Sequence, residues 1–443
     1  MVAHLLVRAH GLGGAKDLPV PASLAIVGGV AALLVSFAVL ALAWRNPRYD
    51  ATSTARPAPV LISRVVDSAA WSRSLRLLGL IFFGYVSWAL VAGPDLVTNP
   101  VFGTFYVLVW VGLVPASLLL GPVVRATSPV RTIGVLLLRL TGSTDGFCRY
   151  PERLGLWPAA LGLLAFVWQE LVNPQAAYLG PVRVWLAGYV AVMLVGGLVF
   201  GERWFARADP FEVYSTLIAH LSVWGRRGRS LVVRSPLAGL DAVPPRPGLV
   251  AVVAVLFGST AFDSFKDSVR WIGVVDRLGH PVAVNSLALA LACLVVGASF
   301  AVAARCPGLP RRAAAAVPRS ALPRSFAHSV VPIIVGYVTA HYLSYFVEQG
   351  QTTIRQLSDP MVDGADLLGT AGMGVNYWLS SHPRLLATAK VLAVVAGHVV
   401  GVVAAHDRAL RMLPPRHRLS GQAVLLLVMV CYTAGGLYLL FGS

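Results

Sequence analysis

The chain has 443 residues, of which 57% are apolar and only 12% charged, with a mean hydropathy of +0.72. That balance excludes an ordinary soluble domain, and the repeated apolar runs of spanning length imply an all-α fold, a polytopic membrane helical bundle. The net charge of +17 would suggest nucleic acid on a soluble chain, so what matters is where the charge lies.

Ten spans are expected, at about 21–44, 76–94, 101–121, 155–173, 184–201, 248–264, 282–304, 326–347, 385–405 and 421–441, all within one transmembrane domain, 1–443. Of the 36 Lys and Arg residues, 27 fall in the connections after the odd-numbered spans; the N-terminal segment and the remaining connections hold 8. The alternation puts the Arg-rich loops in the cytoplasm and both termini outside. The basic charge is therefore a signal of topology, with the lipid bilayer as partner and no nucleic acid. Arg outnumbers Lys by 33 to 3, a usage that fits a GC-rich genome and hence a bacterial plasma membrane.

In chain order, His10-Gly-Leu-Gly-Gly through Pro21 is a Gly- and Pro-rich outer loop, and the lone His10 reads as inert. The stretch from Arg45 to Arg76 is basic and is expected to lie on anionic headgroups. Two units, 76–140 and 153–224, look like copies. Each keeps Leu-Gly-Leu, Trp, Asn-Pro, Tyr-Val and a closing cap-Pro in the same order. In the first, Ser128-Pro129 closes the copy; in the second, Asp209-Pro-Phe-Glu212 reads as a capping box opening a helix. Phe211, Tyr214, Leu217, Ile218, Leu221 and Trp224 recur along one face of that helix, as expected for a cytoplasmic interfacial amphipathic helix. Internal repeats of this kind point toward transporters.

Span four ends in Trp168-Gln-Glu170 and span six in Ser259 to Asp267, which makes an acid-rich outer mouth. The outer connection 349–384 carries Asp359, Asp363 and Asp366 among several glycines; Gly369, Gly372 and Gly374 follow no strand, so a nucleotide loop is rejected.

Polar-site helices lie within 326–410. The span 326–347 aligns Tyr337, His341, Ser344, Tyr345 and Glu348 on one face, opposite Ile334, Val338, Leu343 and Phe346. The span 385–405 repeats Ala389, Ala393, Gly397, Gly401 and Ala405 as a close-packing seam, beside a stripe of Lys390, His398 and His406. Ionisable groups inside a span are costly, so these residues are the functional candidates.

Several segments resemble a family of actinobacterial polytopic membrane proteins often named fenitrothion hydrolase-like: His10-Gly-Leu-Gly-Gly with Asp17-Leu-Pro-Val-Pro21, Asp209-Pro-Phe211, Gly258 to Asp263, Gly336 to Tyr342, Ser358-Asp-Pro360, and Gly397-His398 with Ala405 to Ala409. The family name implies organophosphate ester hydrolysis and transfers no catalytic set.

At about 1.5 Å per residue, His341 and Lys390 each lie about 8–9 Å inside the outer ends of their spans. Glu170 and Asp263 lie nearer the mouth, so the four are expected to line one outward-opening polar cavity together with Tyr337, Tyr345, Glu348 and His398. His398 falls about 20 Å in, too far from His341 for a two-His haem. One reading is structural: Glu170 pairs with Lys390, and His341 bonds a tyrosine. In the functional readings the cavity belongs to a transporter or channel handling a small solute or cation, or to a hydrolase in which His341 with Glu170 or Asp263 holds a divalent metal. A subunit or scaffold role in an envelope complex is the remaining reading.

Overall fold

The computed structural model describes residues 15–49, 55–142, 145–228, 230–306, 308 and 316–441; the His10 segment up to residue 14 lies outside them. Among the described residues, eight helices are long and apolar enough to cross a bilayer, and they are numbered here in chain order. They are α1 (Ala22–Ala43), α2 (Ala69–Ala92), α3 (Leu179–Phe200), α4 (Leu249–Lys266), α5 (Pro281–Ala304), α6 (Val331–Leu357), α7 (Pro383–Met412) and α8 (Arg418–Phe441). The pair Pro100–Val111 and Leu113–Leu120, bent by 45°, makes a ninth crossing if it is one span. Its first part is π-helical over Gly103–Val111, and Pro115 in the second part has no N–H to return to the preceding turn, two recognised causes of a bend.

The expected count of ten is therefore not reached. The fourth expected span, 155–173, forms a helix only over Trp157–Leu171, 15 residues. That is about 22 Å of rise against a hydrocarbon core of about 30 Å. Its apolar run is stopped by Gln169 and Glu170 and then by Asn173-Pro174. A second departure, from the all-α expectation, is a small antiparallel sheet of order β1-β3-β2, formed by β1 (Arg56–Pro57), β2 (Trp224–Arg227) and β3 (Ser230–Val233).

The chain falls into two compact units, one of residues 55–234 and 344–377, the other including residues 15–49, 235–343 and 378–441. In the first unit, α2, α3, the bent pair and several short helices enclose an aromatic core. Phe166 is its centre, with the rings of Trp110, Phe105, Phe211 and Trp185 at 4.8, 5.0, 5.4 and 5.6 Å. The last three meet it edge to face, an arrangement that adds to plain burial.

Both expected caps form here. The Ser128 side chain accepts from Arg131 N at the start of the helix Pro129–Leu140, and Asp209 accepts from Phe211 N and Glu212 N at the start of Pro210–Ala219. The reciprocal half of the capping box does not form, because Asp209 N donates to Phe205 O and Glu212 turns to Arg131, 3.2 Å away. Nor does Pro210–Ala219 lie in the headgroup plane: nine of its ten residues are buried, and Trp224 belongs to β2. Its polar positions face partners inside the unit, Glu212 meeting Arg131 and Ser215 meeting Ser117 Oγ at 2.9 Å.

In the second unit, the seam expected on α7 does form. A Cβ on Gly336 of α6 would come within 2.3 Å of Ala393 O, one on Gly397 within 2.5 Å of Pro332 O, and one on Gly401 within 2.7 Å of Ser329 O. Rising numbers on one helix meet falling numbers on the other, so α6 and α7 run antiparallel with backbones in contact. Tyr337 of α6 lies against Gly436 of α8 in the same way. At the far end of α7, Asp407 accepts from Trp44 Nε1 and Arg48 N, and Arg408 meets Asp241 at 3.0 Å. The stretch His406-Asp-Arg408 is thus an anchor for neighbouring segments.

Asp209 and Glu212 lie outside the spanning helices. Burial pushes the Asp209 carboxyl up to about 6 and that of Glu212 up to about 7, with Arg131 opposing the second shift only in part. A carboxyl whose folded-state value is raised contributes stability that is fully present below its ordinary value and lost as pH rises through the raised one. The thermal midpoint of the purified protein should therefore fall as pH rises from about 4 to about 8, and Glu212→Gln should flatten that fall. Equal slopes in the two proteins would contradict this account of Glu212.

Candidate functional site

The second unit holds a buried polar cluster at the last turn of α4. Asp263, Ser264 and Lys266 come from that turn, while Tyr337, His341 and Tyr342 come from α6. The close approach at Gly336 sets the position of α6, and five residues later His341 faces α4. His341 Nε2 donates to Asp263 Oδ2 at 2.9 Å, and Tyr342 Oη donates to the same oxygen at 2.6 Å. On the other side of the ring, Ser264 Oγ lies 3.1 Å from His341 Nδ1 and also 3.1 Å from Thr260 O; it accepts from Tyr337 Oη at 3.0 Å.

These contacts fix a consistent proton arrangement. An ionised Asp263 can only accept, which puts the His341 proton on Nε2 and leaves Nδ1 as an acceptor for Ser264. Asp263 Oδ1 faces Lys266 Nζ at 3.7 Å, and the same ammonium meets Asp267 at 3.3 Å. Asp263 and His341 are each 7% exposed and Tyr337 is fully buried, whereas the Lys266 side chain is 23% exposed. Lys266 is thus the more open end of the network. As the C-terminal turn of α4, this end of the helix also favours positive charge.

The structure brings together three of the expected residues, His341, Asp263 and Tyr337, and adds Ser264, Tyr342 and Lys266. Ser264 and Tyr342 are sequence neighbours of the expected pair. A search along i, i+3 and i+4 stripes passes over them, because a contact between two helices also recruits the residue beside each stripe. Lys390 is buried in the same unit, and the opposing charge that acts on it is Asp17, ahead of α1. His398 is fully buried, with Nδ1 at 2.8 Å from Val394 O, and its Nε2 finds no partner among the described residues. Glu170, Tyr345 and Glu348 belong to the first unit. There Glu170 acts electrostatically on Tyr106 and Tyr214.

Where the sequence suggests an open cavity, Asp263, His341 and Tyr337 make direct side-chain contacts, as buried polar groups in a membrane bundle lower their cost by bonding one another. Two small crevices of the second unit lie elsewhere and are lined mainly by apolar residues. One is lined by Val253, Ala254, Phe300 and Val330, and the other by Phe37, Val402, Leu425 and Met429, with room for about one water.

A divalent metal does not fit the cluster. Among the described residues, no three His, Cys, Asp or Glu side chains are grouped to hold one, and both His341 nitrogens and Asp263 Oδ2 are engaged with protein donors or acceptors. The acids of the connection 349–384 are likewise spent on the loop itself. Asp359 accepts from Asp363 N and Gly364 N, and Asp366 accepts from Ala371 N and from the Ser358 hydroxyl. No family model, curated protein or solved structure matches this chain.

The network ranks its members. Tyr342→Phe removes a hydrogen bond to the ionised Asp263 Oδ2 and should cost about 2 kcal/mol, whereas His341→Ala removes such a bond together with the contact to Ser264 and leaves a cavity, and should cost more than that. Unfolding of the purified protein in detergent measures both. A larger loss from Tyr342→Phe than from His341→Ala would reverse the assignment.

Proposed function

We propose that the protein is a multi-pass membrane transporter in which Asp263 and His341 form the binding site of a proton. The observation that carries this reading is the closed hydrogen-bonded run Tyr337–Ser264–His341–Asp263–Tyr342 between two spanning helices. Groups that already bond one another suit a proton, which needs only hydrogen-bond partners, better than a larger cation or solute, which would need space. Ionisable residues within spans serve such relays in pumps and transporters.

The charge count supports the same role. With His341 neutral, Asp263, Asp267 and Lys266 sum to one negative charge; one added proton cancels it and gives an imidazolium held between Asp263 and Ser264, where Ser264 can turn its hydrogen to Thr260 O and accept from Nδ1. The proton enters and leaves beside Lys266.

Orientation belongs to this proposal as well. The 27 to 8 bias in Lys and Arg supports Arg-rich loops on the cytoplasmic side of a bacterial plasma membrane. Both termini outside requires an even number of crossings, so the bent pair and the 15-residue helix Trp157–Leu171 either both cross or both do not, and the 27 to 8 bias holds when both do.

One observation favours a second reading. Ser264, His341 and Asp263 stand in the order of nucleophile, base and orienting acid, and a serine esterase would agree with the hydrolysis implied by the family resemblance. Against it, Ser264 sits within α4, where backbone N–H groups are already bonded along the helix, and the neighbouring Tyr337 hydroxyl already donates to Ser264 Oγ. A scaffold role would require neither activity.

Proteoliposomes loaded with a pH-sensitive dye test the proposal. Wild-type protein should dissipate an imposed pH gradient, His341→Gln and Asp263→Asn should abolish this, and Tyr342→Phe should retain part of it. Flux indifferent to both substitutions would sink the proton site. Labelling of Ser264 by a fluorophosphonate, lost in His341→Gln, would favour the esterase instead.

A further inference from the structure

The first unit carries a basic surface that proton transport does not use. The helix Val60–Val66 has no buried residue, and Val60, Leu61 and Val65 are 65%, 73% and 46% exposed. Only Asp67 and Ser68 separate it from α2, whose first turn exposes Trp71. An apolar helix at the mouth of a spanning helix, next to an exposed Trp, belongs at the boundary between acyl chains and headgroups.

The small sheet is tied to both ends of this helix. Before it, Arg56 pairs with Val233 of β3 and Ala58 N donates to Leu231 O; after it, Asp67 meets Arg226 Nη1 of β2 at 2.5 Å. Helix and sheet therefore form one platform, on which Arg56, Arg64, Arg226 and Arg227 are all exposed. Arg234, just after β3, adds a half-buried guanidinium. A Cβ on Gly225 would come within 2.6 Å of Arg234 Nε, so the glycine leaves space for that side chain, and the Nε finds no partner among the described residues. Asp67 is the acid paired with this group of arginines, and it is engaged with Arg226.

We propose that this platform binds anionic phospholipid headgroups, with the helix Val60–Val66 seated in the acyl boundary and Arg64, Arg227 and Arg234 meeting the phosphates. Guanidinium groups pair with phosphate oxygens through two parallel N–H donors, which suits Arg rather than Lys on such a surface. The source of the phosphate is a lipid and not a free ion, because a soluble anion would give the exposed apolar helix nothing to rest on.

Hydrogen exchange of the full chain in nanodiscs tests this. Amides of 56–66 and 224–234 should exchange several-fold more slowly in discs containing phosphatidylglycerol than in phosphatidylcholine alone. The exposed double variant Arg64→Gln with Arg227→Gln should lose that difference, while the corresponding Lys variants keep part of it. Equal exchange in the two lipids would overturn the proposal, and so would equal protection by inorganic phosphate added to phosphatidylcholine discs. Loss of protection throughout the chain in the Gln variant would also count against it, since the effect would then be one of folding.

Discussion

A carboxylate buried at the end of a membrane-spanning helix persists only if donors surround it, and much of the second unit serves that requirement. Asp263 receives His341 and Tyr342 on one oxygen and faces Lys266 with the other. His341 can reach it because α6 is fixed by backbone contact with α7 at Gly336 and Gly397, and because Tyr337 is held against Gly436 of α8. A Cβ at Gly336 or Gly397 would press on the facing backbone, so the two helices would have to part and the 2.9 Å hydrogen bond would be disturbed with them. Packing and chemistry are therefore linked: the small-residue seam on one side of α6 sets the polar contact on the other.

What could be read from the sequence follows from what each signal reports. Spanning helices are recorded in long apolar runs, and all but one of the expected runs have a counterpart, whole or bent. The exception, Trp157–Leu171, has the composition of a span without the length, because Gln169, Glu170 and Asn173-Pro174 end it early. Local rules also held where the partner is local: Asp209 caps the helix that follows it, and the alanines and glycines of α7 meet α6. The helix Pro210–Ala219 departs from expectation for the opposite reason. Glu212 and Ser215 look like a wet face until Arg131 and Ser117 arrive from elsewhere in the chain, and no periodicity reports a distant partner.

The same limit applies to the site. His341 and Asp263 stand out in a span because their burial is costly, so their pairing was within reach of sequence reasoning. Ser264 and Tyr342 are unremarkable by type and become significant only when two helices meet. At Tyr337 and His341 the polar stripe of α6 meets other side chains, Ser264 and Asp263. The atoms for which a metal would compete are already engaged, whereas the proposed proton site uses bonds that are already present.

The central claim is that Asp263 and His341 share a proton that can be taken up and released. Infrared difference spectroscopy of the protein in lipid, titrated over the pH range in which proteoliposomes show flux, measures this directly. The account predicts an imidazole band assigned to His341 that changes with pH, is lost in His341→Gln and shifts in Asp263→Asn. A spectrum in which neither residue responds to pH while transport continues would contradict it.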